Sequence, residues 1–170
     1  MRTTNDIAVV GTSHTYQLPG APAVAAFEAF IESLFLFSNF AAIAEEMSIE
    51  ALSEHGATIS VCKQVADKRG ARHLYCDPDR QTRARLDIRQ ENGIRATAQL
   101  ERASEQEIRK RIQASHDRRE EYWLDRIIKL DSWPLLFVCG ADHVDSFVSK
   151  AREHGLSVKV LMPDWSPTHE

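Results

Sequence analysis

Two histidines occupy matching places in two look-alike segments. His14 lies three residues after Gly11 in "IAVVGTSH", and His143 lies three residues after Gly140 in "LLFVCGADH". In both, an apolar run stops at the glycine. Carboxylates end the other apolar runs: Glu45 and Glu46 close "AIAEE", Asp77 and Asp79 follow "HLYC", Asp142 adjoins His143, and Asp164 follows "VLMP". Imidazole with carboxylate is a donor set for zinc, manganese or iron. Two histidines and one glutamate with an open position can lower the pKa of a bound water and make hydroxide near neutral pH. A second carboxylate nearby would serve as general base. Singly, each residue has an ordinary explanation as a cap, a turn residue or a solvated charge. Their recurrence at the ends of successive apolar runs gives the pattern weight.

The elements that must position these residues alternate. Ile7 to Val10, Ala41 to Ala44, Arg72 to Cys76, residues 134–139 and residues 156–162 read as strands. Ala23 to Phe37 carries apolar residues at helical spacing (Val24, Phe27, Ile31, Leu34). Ser48 caps a short helix from Ile49 to His55, and Gly70 stops another from Ile59 to Arg69. Ser104 followed by Glu107 is a capping box opening a helix to about Leu130, and a last helix runs from Asp145 to Glu153. The expectation is a single α/β domain over residues 1–170. It has three layers, a mostly parallel sheet with helices on both faces, and an Arg/Glu-rich helical insertion or lid over residues 78–131, before the last βαβ unit. Within it, "LDIRQENGIRATAQL" reads either as a hairpin turning at Asn92-Gly93 or as two short helices with Gly93 as a C-cap, and the helices are preferred. In open parallel sheets, sites form beyond the carboxyl ends of the strands. That rule gathers all the residues above on one edge.

Composition narrows the functional classes. The 170 residues carry 43% hydrophobic and 27% charged side chains, enough for a real core. A net charge of −4 argues against nucleic acid as a partner. No apolar run is long enough to span a bilayer, and the N-terminus has neither a signal-peptide core nor a cleavage site, so a cytoplasmic protein with no membrane partner is expected. Cys62, Cys76 and Cys139 are far apart and form no CxxC pair, which reads as reduced, buried thiols. No GxGxxG follows the first strand and no phosphate-loop GK[ST] exists, so nucleotide cofactors are disfavoured.

Taken together, these motifs resemble the TraB/TIKI superfamily. "GTSH" after the first strand resembles its GTxH motif, the glutamate-ended "AIAEEM" its second strand, and "YCDPDRQTR" its Asp/Arg segment. "RREEYWLDRI" is similar to its arginine-pair helix, with Glu120 where the family has Asn or Asp. "LLFVCGADHVDSF" resembles the C-terminal strand-GxxH motif. The chain is shorter than typical members, and Gln17 and the residues after His143 differ from the common forms. The resemblance implies a metal-dependent hydrolase holding zinc, manganese or iron through His14, Glu45 (or Glu46) and His143. Glu46, Asp77 or Asp164 would be the base or a supporting carboxylate. Arg80 and Arg119 would orient substrate or stabilise developing negative charge. The expected substrate is a small molecule or peptide, including anionic esters and amides. A non-catalytic module binding a small ligand is the rival, and a homodimer through the 104–130 helix a further option.

The run Arg80, Arg83, Arg85, Arg89 and Arg95 reads as a solvated helix face interleaved with acids in preference to an anion-gripping lid. Trp123 and Trp133 are expected in the core, with Trp165 at the pocket rim. His55, His73, His116, His154 and His169 are read as surface or structural.

Overall fold

A computed structural model describes residues 6–167. His169, and the first residues behind the no-leader reading, lie outside them. Five strands, β1 (Asp6–Thr12), β2 (Ala42–Glu45), β3 (Arg72–Tyr75), β4 (Leu135–Gly140) and β5 (Ser157–Trp165), form one sheet in the order β3-β2-β4-β1-β5. Every neighbouring pair is parallel. The helices are α1 (His14–Gln17), α2 (Val24–Phe37), α3 (Ile49–Glu54), α4 (Val61–Arg69), α5 (Arg80–Arg85), α6 (Glu91–Leu100), α7 (Glu105–Leu130) and α8 (Val144–Glu153), with a 3-10 turn at Ala141–His143.

β1 and β4 are central, covered on both faces, and therefore read as unbroken apolar runs. Alternation along the strands divides the core into two layers. Ile7, Val9, Ala42, Ala44, Leu135 and Phe137 pack under α7 and α8 through Trp123, Leu124, Ile127 and Phe147. Ala8, Val10, Ile43, Leu136 and Val138 pack under α2 and α4 through Phe27, Ile31, Val61 and Val65. This is the expected three-layer α/β arrangement. The second half of α7 is one of its layers, so the segment between β3 and β4 supplies core as well as surface.

Local signals hold where a cap is visible. Ser48, Ser60, Asp79 and Ser104 each accept a backbone N–H in the first turn of α3, α4, α5 and α7. Residues 78–103 hold two short helices, α5 and α6, as preferred, but Gly93 sits inside α6 and ends nothing. The break falls earlier, at Asp87, which adopts φ +52. Trp165 is not at a pocket rim: it is 8% exposed and packs on Tyr16, Phe27 and Phe30.

Candidate active site

The two glycine–histidine segments meet because β1 and β4 are neighbours, with Gly11 opposite Cys139 and Thr12 opposite Gly140. After β1 the chain leaves to the α2 layer, and after β4 it leaves to the α8 layer. Connections departing to opposite faces open a crevice between adjacent strands, where ligands bind in open α/β sheets. β2 pairs with the other side of β4, and the residue that follows it, Glu46, comes beside the same crevice.

Neither glycine is there to turn the chain through a left-handed conformation. A Cβ at Gly11 would stand 1.9 Å from the Pro163 carbonyl oxygen. One at Gly140 would stand 3.2 Å from Glu46 Oε2 and 3.4 Å from His14 Nε2. Both positions need glycine for close approach, the first of backbone and the second of the site itself.

Alternation decides which glutamate enters the site. Glu45 shares the face of Ile43, under α4. There it is fully buried, accepts from the Ser60 hydroxyl, and lies 2.7 Å from His73 Nε2. It does not join His14 and His143. Glu46 falls on the other face and reaches the crevice. Its Oε2 accepts the Gly140 N–H at 2.7 Å. Its Oε1 lies 2.9 Å from Arg119 Nη2, 3.3 Å from His14 Nε2 and 3.9 Å from His143 Nε2. None of the three meets Oε1 in hydrogen-bond alignment.

Three supports hold this centre. Asp77 Oδ1 accepts Arg119 Nε at 2.7 Å and Trp123 Nε1 at 3.0 Å, while Oδ2 accepts from Arg83. Asp77 therefore fixes Arg119, whose guanidinium also lies over the Trp123 ring at 5.1 Å. Glu120 Oε1, fully buried, lies 2.7 Å from His143 Nδ1 and accepts from Ser146 Oγ at 2.7 Å. That contact leaves Nε2 as the nitrogen of His143 facing Glu46. The buried Gln17 amide lies 3.4 Å from His14 Nδ1. Thus each imidazole has one nitrogen held by the protein and the other turned to Glu46. The His14 side chain is 49% exposed and that of His143 only 8%.

The electrostatics follow from these contacts. Burial pushes the Glu46 carboxyl up, but the Arg119 charge and the two imidazoles outweigh it and hold the pKa down at about 2. Desolvation lowers His14, yet contact with Glu46 dominates and its pKa is raised from the usual 6.5. Arg119 is stabilised further in its charged form, because Glu46 and Asp77 outweigh its burial. Burial, with help from the His143 charge, lowers His116. It raises all three thiols, so Cys139 is no nucleophile despite standing before Gly140.

Two cavities of about 350 Å³ each share Ser13, His14, Glu46 and Arg119. His14, Glu46, Arg119 and His143 are thus brought together, with Asp77 behind Arg119 and Asp164 at the rim of one cavity. Arg80 is not among them: it lies outside both, paired with Glu50 and Glu54. The neighbouring Arg89 and Arg95 likewise pair at the surface with Asp87 and Glu91, as an interleaved charged face predicts, whereas Arg83 departs from it: its side chain is only 20% exposed, pairs with Asp77 and lines the cavity beside Met47. Glu120, Trp123 and Gln17 carry parts of the site that spacing alone does not assign. For Glu120 a signal existed, since it follows Arg119 in the arginine-pair motif. For Glu46 over Glu45 the signal was strand parity with Ala44. His73 and His116 are partnered as well, the first with Glu45 and the second tilted against His143 at 4.5 Å between ring centres.

Among the described residues, no group of three or more His, Cys, Asp or Glu is disposed to hold a metal ion. The nearest approach to one is His14, His143 and Glu46 Oε1, and there the Arg119 cation stands 2.9 Å from the shared oxygen. With Arg119 in that place the residues do not fit a metal. Among the described residues no helix is long and apolar enough to cross a membrane. No family model, curated protein or solved structure matches this chain.

Proposed function

We propose that this protein is a hydrolase of small esters, amides or peptides that works by acid–base catalysis between two histidines. The observation that carries the reading is that two separately held imidazole nitrogens turn toward one buried carboxylate oxygen, at 3.3 and 3.9 Å, on the floor of an open cleft. His143, whose Nδ1–H is held by the Glu120 carboxylate, takes a proton from the attacking water at Nε2. His14, favoured in its protonated form by ionised Glu46 and held from behind by Gln17, gives its Nε2 proton to the leaving group, and proton exchange with water resets the two rings. Arg119 keeps Glu46 charged and in place, and Asp77 keeps Arg119 there. The order of motifs that resembles the TraB/TIKI superfamily supports a hydrolytic site at this edge of the sheet.

The test is a panel of ester and amide substrates assayed with chelator present. Turnover that persists with chelator and falls about 10²- to 10⁴-fold in His14→Ala is the expected result. No turnover, or an unaffected His14→Ala, overturns it. One observation favours a second reading, a divalent-metal hydrolase: Glu46 Oε1 has no aligned hydrogen bond and two imidazoles beside it. That reading requires Arg119 to withdraw, and turnover appearing only with added Zn²⁺ or Mn²⁺ would select it.

A further inference from the structure

Arg83 is the one arginine of the run after β3 that lines the site without a part in its chemistry. Arg80, Arg85 and Arg89 are exposed. Arg83 stands one turn into α5, behind the Asp79 cap, and folds back over the end of β3. Its Nε donates to the Pro78 carbonyl at 3.0 Å and its Nη2 to Asp77, while its Nη1 makes no hydrogen bond with any described residue. Of the two cavities that meet at Ser13, His14, Glu46 and Arg119, Arg83 lines only the one walled by Leu18, Met47 and Ala51. It therefore stands beside an arm of the substrate and not beside the scissile bond. The carboxylates of this cavity are already occupied. Asp77 accepts from Arg119, Trp123 and Arg83. Glu46 Oε2 accepts the Gly140 N–H, and its Oε1 faces Arg119 and His14. No other acidic residue lines the cavity. What the wall leaves open to a ligand is donor capacity, on a guanidinium whose fork carries five N–H groups. Such donors bond a carboxylate roughly twice as strongly as a neutral acceptor, and apolar walls strengthen the bond further.

From this we infer that the cavity of Leu18, Met47 and Ala51 takes a short apolar arm of the substrate ending in a carboxylate, and that Arg83 is the specificity-determining residue that binds it. The volume, about 350 Å³, suits a stem of a few carbons on the apolar wall with the charged end at Arg83. The proposal rests on the cleft being the active site, and it gives that site a substrate class: esters, amides or peptides with a free carboxylate a few carbons from the scissile bond. Asp77 then serves two arginines at once. It braces Arg119 at the centre and orients the Arg83 fork at the arm.

Two measurements test it. In the first, butyrate, n-butanol and n-butylammonium are titrated into the protein while NMR follows the Met47 methyl and His55 ring, which line this cavity and not the other. Butyrate should bind about tenfold or more tightly than the other two, and the preference should weaken as salt rises. In Arg83→Met the ratio should fall toward one. In Arg80→Met, the same loss of charge on a side chain 79% exposed and outside the cavity, it should persist. Arg83→Lys keeps a cation for Asp77 but loses the planar fork, so it guards against a folding loss and should still weaken butyrate about threefold or more. Equal binding of the three probes, tighter butylammonium, shifts confined to His116 and His143, or a ratio unmoved by both Arg83 changes overturns the proposal. In the second, esters sharing one leaving group and differing only in an acyl arm ending in carboxylate, methyl or ammonium are compared. The carboxylate form should have the lowest KM, and Arg83→Met should raise that KM far more than the KM of the methyl form. A merely structural role for Arg83 would move both alike, and that result counts against the proposal. The binding titration needs no turnover. Absence of hydrolysis with every substrate therefore condemns the acid–base reading, and absence of a carboxylate preference condemns this one.

Discussion

Replacing Glu46 by glutamine tests the centre of the site, because it deletes one charge while keeping shape. Glu46 is fully buried, and its pKa is held down from the ordinary 4.5 to about 2 by Arg119, His14 and His143. At 1.36 kcal/mol per pKa unit, that depression corresponds to about 3 kcal/mol of stability. Breaking a buried ion pair from one side costs roughly 3–5 kcal/mol. The low end applies, since Arg119 retains Asp77 as a partner. The sign is set by the direction of the shift. A carboxylate with a lowered folded pKa contributes stability that is complete above about pH 4.5 and lost as pH falls through about 2. Urea unfolding of both proteins, followed by far-UV circular dichroism from pH 7 to pH 3, measures this. The wild type should exceed Glu46→Gln by about 3 kcal/mol at pH 7 and by about half that at pH 3. A difference constant across that range would assign the loss to packing and refute the charge argument. A difference under about 1 kcal/mol at pH 7 would refute the ion-pair argument altogether.

Further outcomes follow from the same geometry. With His14 as acid and its pKa raised by Glu46, kcat/KM should fall as pH rises through a value above 6.5, and that limb should move to lower pH in Glu46→Gln. Gly11→Ala places a Cβ against the Pro163 carbonyl and should destabilise by about 3 kcal/mol or more. Gly140→Ala meets only side-chain atoms at 3.2 Å and beyond and should cost about 1 kcal/mol or less, while lowering kcat; thermal unfolding with the esterase assay checks both. Trp123→Phe removes a buried donor from Asp77 and should cost about 1–3 kcal/mol by urea unfolding. Cys62, Cys76 and Cys139 should resist a thiol reagent in the folded protein and react only on unfolding, because burial keeps them protonated.

By itself the chain determined its architecture and the edge on which chemistry could gather. Hydrophobic runs separated by capped helices leave few alternatives to a parallel sheet, and the end of each strand marks one side of it. The histidines, Glu46 and Asp77 were therefore legible as candidates, and Arg119 through the resemblance of its helix to the arginine-pair motif. What spacing does not contain is direction across the sheet and distance between segments far apart in the chain. Tertiary structure put β4 between β1 and β2, so that His14, Glu46 and His143 share one crevice. It sent Glu45 to the opposite face with His73 and Ser60, one residue of alternation away. It left Arg80 in a surface pair with Glu50 and Glu54, and gave Asp77 three donors that make it a brace for Arg119. The physical reason is that a strand fixes its own alternation, but only packing against other strands and helices fixes which layer each face meets. That packing placed one glutamate among the catalytic candidates and its neighbour among the buried supports of the fold.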